Sequence, residues 1–257
     1  MSYLVICSVA FLASGLTFFS GFGLGTLLLP AFALFFPVEL AVALTGVVHF
    51  LNGLFKLALI GRRAAWPVVL RFGVPAMGAA LAGGWLLARL SDAAPLLTYS
   101  AFGSVLRVTP VKLAVGSALL VFASLELSAK FRQLSFSPRL LPVGGLLSGF
   151  FGGLSGTQGA LRSAFLVRAG LSKEAFIGTG VVIAALVDIS RLTVYSGAIV
   201  RESLRFNYSL LGAAVAAALL GAVLGNRYLS KITMLTVQRI VSAALLVVGV
   251  GLIAGLL

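Results

Sequence analysis

Three groups of polar residues interrupt a chain that is otherwise a succession of apolar runs. Gly21, Gly23 and Gly25, with Ser20 and Thr26, make the first; Gly152, Gly153, Gly156 and Gly159, with Ser155, Thr157 and Gln158, make the second. The third is a set of ionisable and amide side chains: Arg162, Asp188 with Arg191 three residues on, and His49, Asn52 and Lys56 spaced i, i+3, i+7. Each suits a different chemistry. A helix restarting at Thr26, and another near Thr157, would aim unpaired N–H groups and a positive dipole end at an oxyanion. The alternative is that the glycines only let helices pack closely, which is the reading given to Ala213, Ala217, Gly221 and Gly225. Arg162 lies about 9 Å along a helix from Arg168, so it either snorkels to the boundary or grips a sulfonate with two prongs. Asp188 and Arg191 share a helix face, as a buried ion pair or as a proton carrier with its partner. His49, the only histidine, is a structural contact or a proton-coupling group, Asn52 stands beside it, and Lys56 snorkels towards Arg62.

The elements that must hold these residues follow from composition. Of 257 residues 60% are hydrophobic and 10% charged, against about 25% charged in soluble domains, so a soluble fold is excluded. At roughly 20 residues per crossing the chain makes at most about ten spans and no sizeable extramembrane domain. The net charge of +13 is scattered one to three residues at a time between apolar runs, which indicates membrane topology rather than nucleic acid. Cys7 is the only cysteine, so there is no internal disulfide, and with one histidine no metal site or cofactor is expected. The first 25 residues lack a basic signal-peptide region and read as retained. Apolar runs cover 3–36, 38–60, 66–88, 111–127, 140–168, 173–198, 206–229 and 234–257; the first and fifth exceed one crossing and carry the glycine breaks, so each is two short helices. Residues 89–110 form an interfacial connection, and Glu126 sits at an interface without an assigned role.

A repeat organises these runs. With one constant offset, Ser14-Gly15 aligns with Ser148-Gly149, Gly25 with Gly159, and Thr45-Gly46-Val47-Val48 with Thr179-Gly180-Val181-Val182. Each half, 1–132 and 133–257, is then a broken segment plus three transmembrane helices. If broken segments crossed, the basic residues would divide evenly between the two sides. If each returns to its own side, Arg62, Arg63, Arg71, Lys130, Arg132, Arg139, Arg168, Lys173, Arg227, Lys231 and Arg239 share one side against Arg89, Arg107, Lys112, Arg201 and Arg205. The positive-inside bias selects the second arrangement, an all-α polytopic protein of two inverted repeats with both termini outside.

The segments SGLTFFSGFGLGTLLLP at 14–30, SGFFGGLSGTQGALRSAFLVRAG at 148–170 and IGTGVVIAALVDISRLTVY at 177–195 resemble the TauE/SafE family of sulfite exporters, over essentially the whole chain. The second half departs from the first in having Ala164 where the first has Pro30. The resemblance implies a multi-pass transporter of the cytoplasmic (inner) membrane that moves sulfite, thiosulfate or organosulfonates, with proton coupling an open addition. Its partners would be the small sulfur-containing anion and the bilayer; a homo-oligomer is left open. Substrate is expected at Gly21, Gly23, Gly25, Thr26, Ser155, Gly156, Thr157, Gln158, Gly159, Arg162 and Arg191, and coupling or gating at His49, Asn52 and Asp188. Three other classes remain to be weighed: an anion channel, a non-transporting membrane scaffold, and an intramembrane serine protease suggested by Gly153-Leu154-Ser155-Gly156. Such a protease needs a histidine on a later helix, and none follows His49.

Overall fold

A computed structural model describes residues 1–16, 23–101, 103–128, 130, 134–202, 208–228 and 234–257. Ser20, Gly21, Arg132, Arg205 and Lys231, used above, lie outside the described residues. Among those described the chain is mostly helical: α1 (Ser2–Leu16), α2 (Leu24–Ala33), α3 (Val38–Ile60), α4 (Trp66–Ser91), α5 (Pro110–Leu127), α6 (Leu141–Ser155), α7 (Gly159–Leu166), α8 (Lys173–Glu202), α9 (Tyr208–Tyr228) and α10 (Met234–Ile253). Among the described residues four apolar stretches are long enough to cross a bilayer: Val38–Arg63, Trp66–Ser91, Pro110–Leu127 and Lys173–Gly197. α1, α2, Tyr208–Leu224 and Arg239–Ile253 are shorter apolar helices.

Both overlong runs are divided where the glycines predicted. Gly156 closes α6 at φ 74° and Gly23 precedes α2 at φ 111°, left-handed angles that favour glycine. The restarts differ from expectation: α2 begins at Leu24 rather than Thr26, and α7 at Gly159 rather than near Thr157. α7 folds back beside α6. The Ser148 hydroxyl donates to the Gln158 carbonyl, Phe165 packs against Gly144, and the Phe136 ring stacks on Phe165 at 4.2 Å before α6 begins. A further irregularity lies in α4, where Pro75 cannot donate to the Arg71 carbonyl and the preceding Val69–Gly73 relaxes into a π turn.

Lipid tails are as apolar as leucine, so helices in a membrane associate chiefly through close packing, which small residues permit. α6 presents Gly145, Gly149 and Gly153, one turn apart, to the backbone of α4 at Phe72, Ala76 and Ala80. α9 presents Gly221 to the Phe11 carbonyl of α1, and Tyr3 shares a hydrogen bond with Ser209. Both pairs run parallel. α3 and α8 run antiparallel, with Gly46 facing Arg191, His49 facing Asp188 and the Ile60 carbonyl facing Gly178. So do α5 and α10, where Gly116 meets Gly249 and the Ser242 hydroxyl donates to Glu126 at 3.4 Å. Glu126, expected at an interface, is therefore buried between two helices.

The connection after α4, expected at an interface, contains a β-hairpin, β1 (Leu97–Ala101) paired antiparallel with β2 (Ser104–Val108) around Gly103. Tyr99 donates to the Ala254 carbonyl, fixing the hairpin beneath the end of α10.

The glycine stripe on α6 gives a direct test. A methyl at Gly149 would collide with the Ala76 carbonyl of α4, whereas one at Gly78 meets nothing within 4 Å. Thermal unfolding of detergent-purified protein should show Gly149→Ala destabilised by about 3 kcal/mol, as overpacking requires, and Gly78→Ala unchanged.

Candidate functional site

The antiparallel crossing of α3 and α8 sets His49 opposite Asp188. Nδ1 of His49 lies 2.6 Å from Oδ2 of Asp188, and since an ionised carboxylate only accepts, that nitrogen carries the hydrogen. Arg191, one turn along α8 as its spacing predicted, donates from Nε to Oδ1 at 2.9 Å; its Nη2 is 2.7 Å from the same oxygen, in ionic contact but off the angle of a hydrogen bond. Nη1 of Arg191 donates to the Gly152 carbonyl at 3.3 Å, which ties α8 to the end of α6. Gln158 extends the network, its Nε2 donating to Asp188 Oδ1 at 3.5 Å while its Oε1 accepts from Arg162 Nη1 at 3.3 Å. Asp188 and Arg191 are fully buried and Arg162 is 2% exposed, so their charges act in a poorly screened interior.

The repeated Thr-Gly-Val-Val motif has a steric purpose here. A Cβ on Gly46 would stand 3.4 Å from the Arg191 guanidinium carbon, and one on Gly180 would stand 3.6 Å from Arg162 Nε. Each copy thus offers a bare backbone beside one arginine. The two breaks also meet. A Cβ at Gly25 would stand 3.4 Å from the His49 ring and 3.5 Å from the Gly156 carbonyl, while one at Gly156 would stand 2.9 Å from Arg191 Nη1.

The structure therefore brings together Gly25, His49, Gly156, Gln158, Arg162, Asp188 and Arg191, with Gly159 opening α7 beside them. Gly23 and Thr26 bracket the start of α2, and Pro30 leaves the Thr26 carbonyl without its i+4 donor. Ser155 and Thr157 are turned to one another, hydroxyl to hydroxyl at 2.7 Å, and Ser155 also donates to the Phe151 carbonyl. Asn52 is joined to α1, where Ser14 donates to its Oδ1 at 3.0 Å. Two positions differ from the snorkelling alternatives: Arg162 is held inward by Gln158, and Lys56 is 9% exposed on the buried side of α3, close enough to Arg162 for each to feel the other's charge. Lys56 is the cation that sequence reasoning misplaced. Its i+4 spacing from Asn52 was the available signal.

The profile of the sulfite exporter TauE/SafE family matches residues 6–252. The chain belongs to that family. Membership makes it a multi-pass membrane transporter of sulfur anions, not an enzyme. In this TauE/SafE chain the serine of Gly153-Leu154-Ser155-Gly156 is engaged with Thr157 and Phe151, and His49 with Asp188. No curated protein matches the chain.

Proposed function

We propose that the chain is a secondary transporter of small sulfur oxyanions built as two inverted repeats, 1–132 and 133–257, and coupled to protons through His49. The observation that carries the anion assignment is the charge surplus at the crossing of α3 and α8. Arg191 directly and Arg162 through Gln158 converge on Asp188, in a buried setting where a positive surplus attracts an anion strongly. Inversion is supported by direction: the repeat-equivalent pairs α3 with α8 and α5 with α10 each run antiparallel. Reciprocal packing supports it too, since α1 lies on α9 while their counterparts α6 and α4 lie on each other.

The arrangement predicts that both chain termini face outward and the segment between α5 and α6 faces the cytoplasm. Reporter fusions at the C-terminus should be active only outside the cytoplasm; a cytoplasmic signal sinks the inverted repeat.

Proton coupling has a definite sign. With Nδ1–H committed to Asp188, Nε2 of His49 is the atom that gains and loses the proton. Protonation adds one positive charge beside Asp188 and Arg191, so anion affinity should rise as pH falls. Thiosulfate, a dianion from about pH 5 to about pH 8, is the appropriate probe. In proteoliposomes its flux should be saturable, should be stimulated by a proton gradient, and should show a lower KM at about pH 5.5 than at about pH 8. His49→Gln should flatten that profile. An unsaturable flux, or an equally steep pH profile in His49→Gln, would contradict the assignment.

A further inference from the structure

The face of α3 that carries His49 continues past the network already described. At 3.6 residues per turn, Thr45, His49, Asn52 and Lys56 fall within about 60° of one another, a polar stripe along one side of the helix. Asn52 is 1% exposed, and while its Oδ1 accepts from Ser14, its Nδ2 has no hydrogen-bond partner among the described residues. An amide nitrogen so buried carries two unused donors, which is costly unless something else occupies them. Gly53, at the edge of the same face, is also buried, yet a Cβ there would meet nothing within 4 Å. Buried backbone beside open space describes an internal hollow. One turn on lies Lys56, between the His49–Asp188 and Ile60–Gly178 contacts that α3 makes with α8, the stretch in which a Cβ on Gly180 would stand 3.6 Å from Arg162 Nε.

Comparison of the two halves sharpens the point. At the repeat offset, Asn52, Gly53 and Lys56 correspond to Leu186, Val187 and Ser190. Val187 fills its space, packed against the position of Gly152, and the Ser190 hydroxyl is turned back to the Leu186 carbonyl. The first half thus has a donor, a hollow and a cation where the second has two apolar side chains and a self-satisfied hydroxyl.

We propose that Lys56 is a substrate-binding residue, and that its ammonium, the Arg162 guanidinium and Asn52 Nδ2 form a cradle beside Gly53 that selects dianions over monoanions. The proposal rests on the anion-transport reading above and adds a location and a charge rule. With the Asp188 carboxylate set against Arg191, Lys56 and Arg162 bring two positive charges to the cradle, which a dianionic oxyanion balances more fully than a monoanionic sulfonate. Arg162 links the cradle to the His49–Asp188–Arg191 network through Gln158.

The test compares thiosulfate and methanesulfonate in proteoliposomes with wild-type protein, Lys56→Met, Lys56→Arg and Gly53→Leu, each first checked for monodispersity and melting temperature. The wild type should favour thiosulfate. Lys56→Met should raise the thiosulfate KM at least tenfold while changing that of methanesulfonate less than threefold, and Lys56→Arg should restore the preference. Gly53→Leu, which keeps every charge and fills the hollow, should raise both KM values. Parallel loss of both substrates in Lys56→Met, or an unchanged KM in Gly53→Leu, overturns the cradle while leaving sulfur-anion transport intact. No flux of either anion through wild-type protein overturns the transport reading and the cradle with it.

Discussion

Asp188→Asn is expected to destabilise the protein by about 3–5 kcal/mol and to silence transport. The carboxylate receives Arg191 on Oδ1 and His49 on Oδ2, both at hydrogen-bonding distance, and is fully buried with its arginine. An amide of the same shape keeps the volume and one accepting oxygen but removes the charge, so the Arg191 guanidinium keeps acceptors such as the Gly152 carbonyl and loses the carboxylate that balances it. Loss of one partner of a buried pair costs far more than loss of both, because it strands a charge in a medium of low polarity. The double variant Asp188→Asn with Arg191→Met should therefore recover most of the lost melting temperature and none of the flux. Thermal unfolding in detergent and flux in proteoliposomes, measured on all three variants, form the cycle. A single variant as stable as wild type would mean that Arg191 has another counter-charge.

Arg162→Met should divide the two readouts the other way. The site holds more positive than negative charge, so removing a buried cation while keeping its bulk relieves repulsion with Lys56 as it gives up attraction to Asp188; stability should change by less than about 1 kcal/mol. Flux should fall by about 100-fold or more, since a charged hydrogen bond of about 3 kcal/mol to the anion is lost and every 1.4 kcal/mol is tenfold. Arg162→Lys separates geometry from charge. Gly180 leaves the guanidinium room to lie flat, and a lysine keeps the charge while losing the planar two-pronged contact. An intermediate flux is expected, and wild-type flux in Arg162→Lys would reduce the residue to a point charge.

The helical architecture was legible because its signals are local. Run length set against the thickness of a bilayer exposed the two broken segments, glycine clusters located the breaks, and i+3 spacing joined Asp188 to Arg191. What escaped depends on which helices become neighbours. Nothing along α3 says that His49 will face Asp188, 139 residues away. Lys56 was misplaced because distance to Arg62 was counted along its own helix, whereas burial is decided by the helices packed around it. The hairpin at 97–108 went unrecognised because Asp92, Pro95, Arg107 and Pro110 marked 89–110 only as an interfacial connection, although Leu97, Tyr99, Leu106 and Val108 share one face of the paired strands. The starts of α2 and α7 shifted by two residues because a single glycine, Gly23, completes the first turn, while Thr157 and Gln158 extend the second.

The packing of α1 on α9 bears on how the protein is made. Tyr3 and Ser209 are separated by 206 residues, so at about 5–20 residues per second α1 waits about 10–40 s in the bilayer before its partner leaves the ribosome. During synthesis the first half therefore cannot complete its own packing, and α4 likewise waits for α6. Folding of the two halves is obligatorily intertwined, and a nascent chain stopped before α9 should be a substrate for membrane quality control. The two halves expressed as separate polypeptides, by contrast, carry all the surfaces needed to find each other and rebuild the complete bundle.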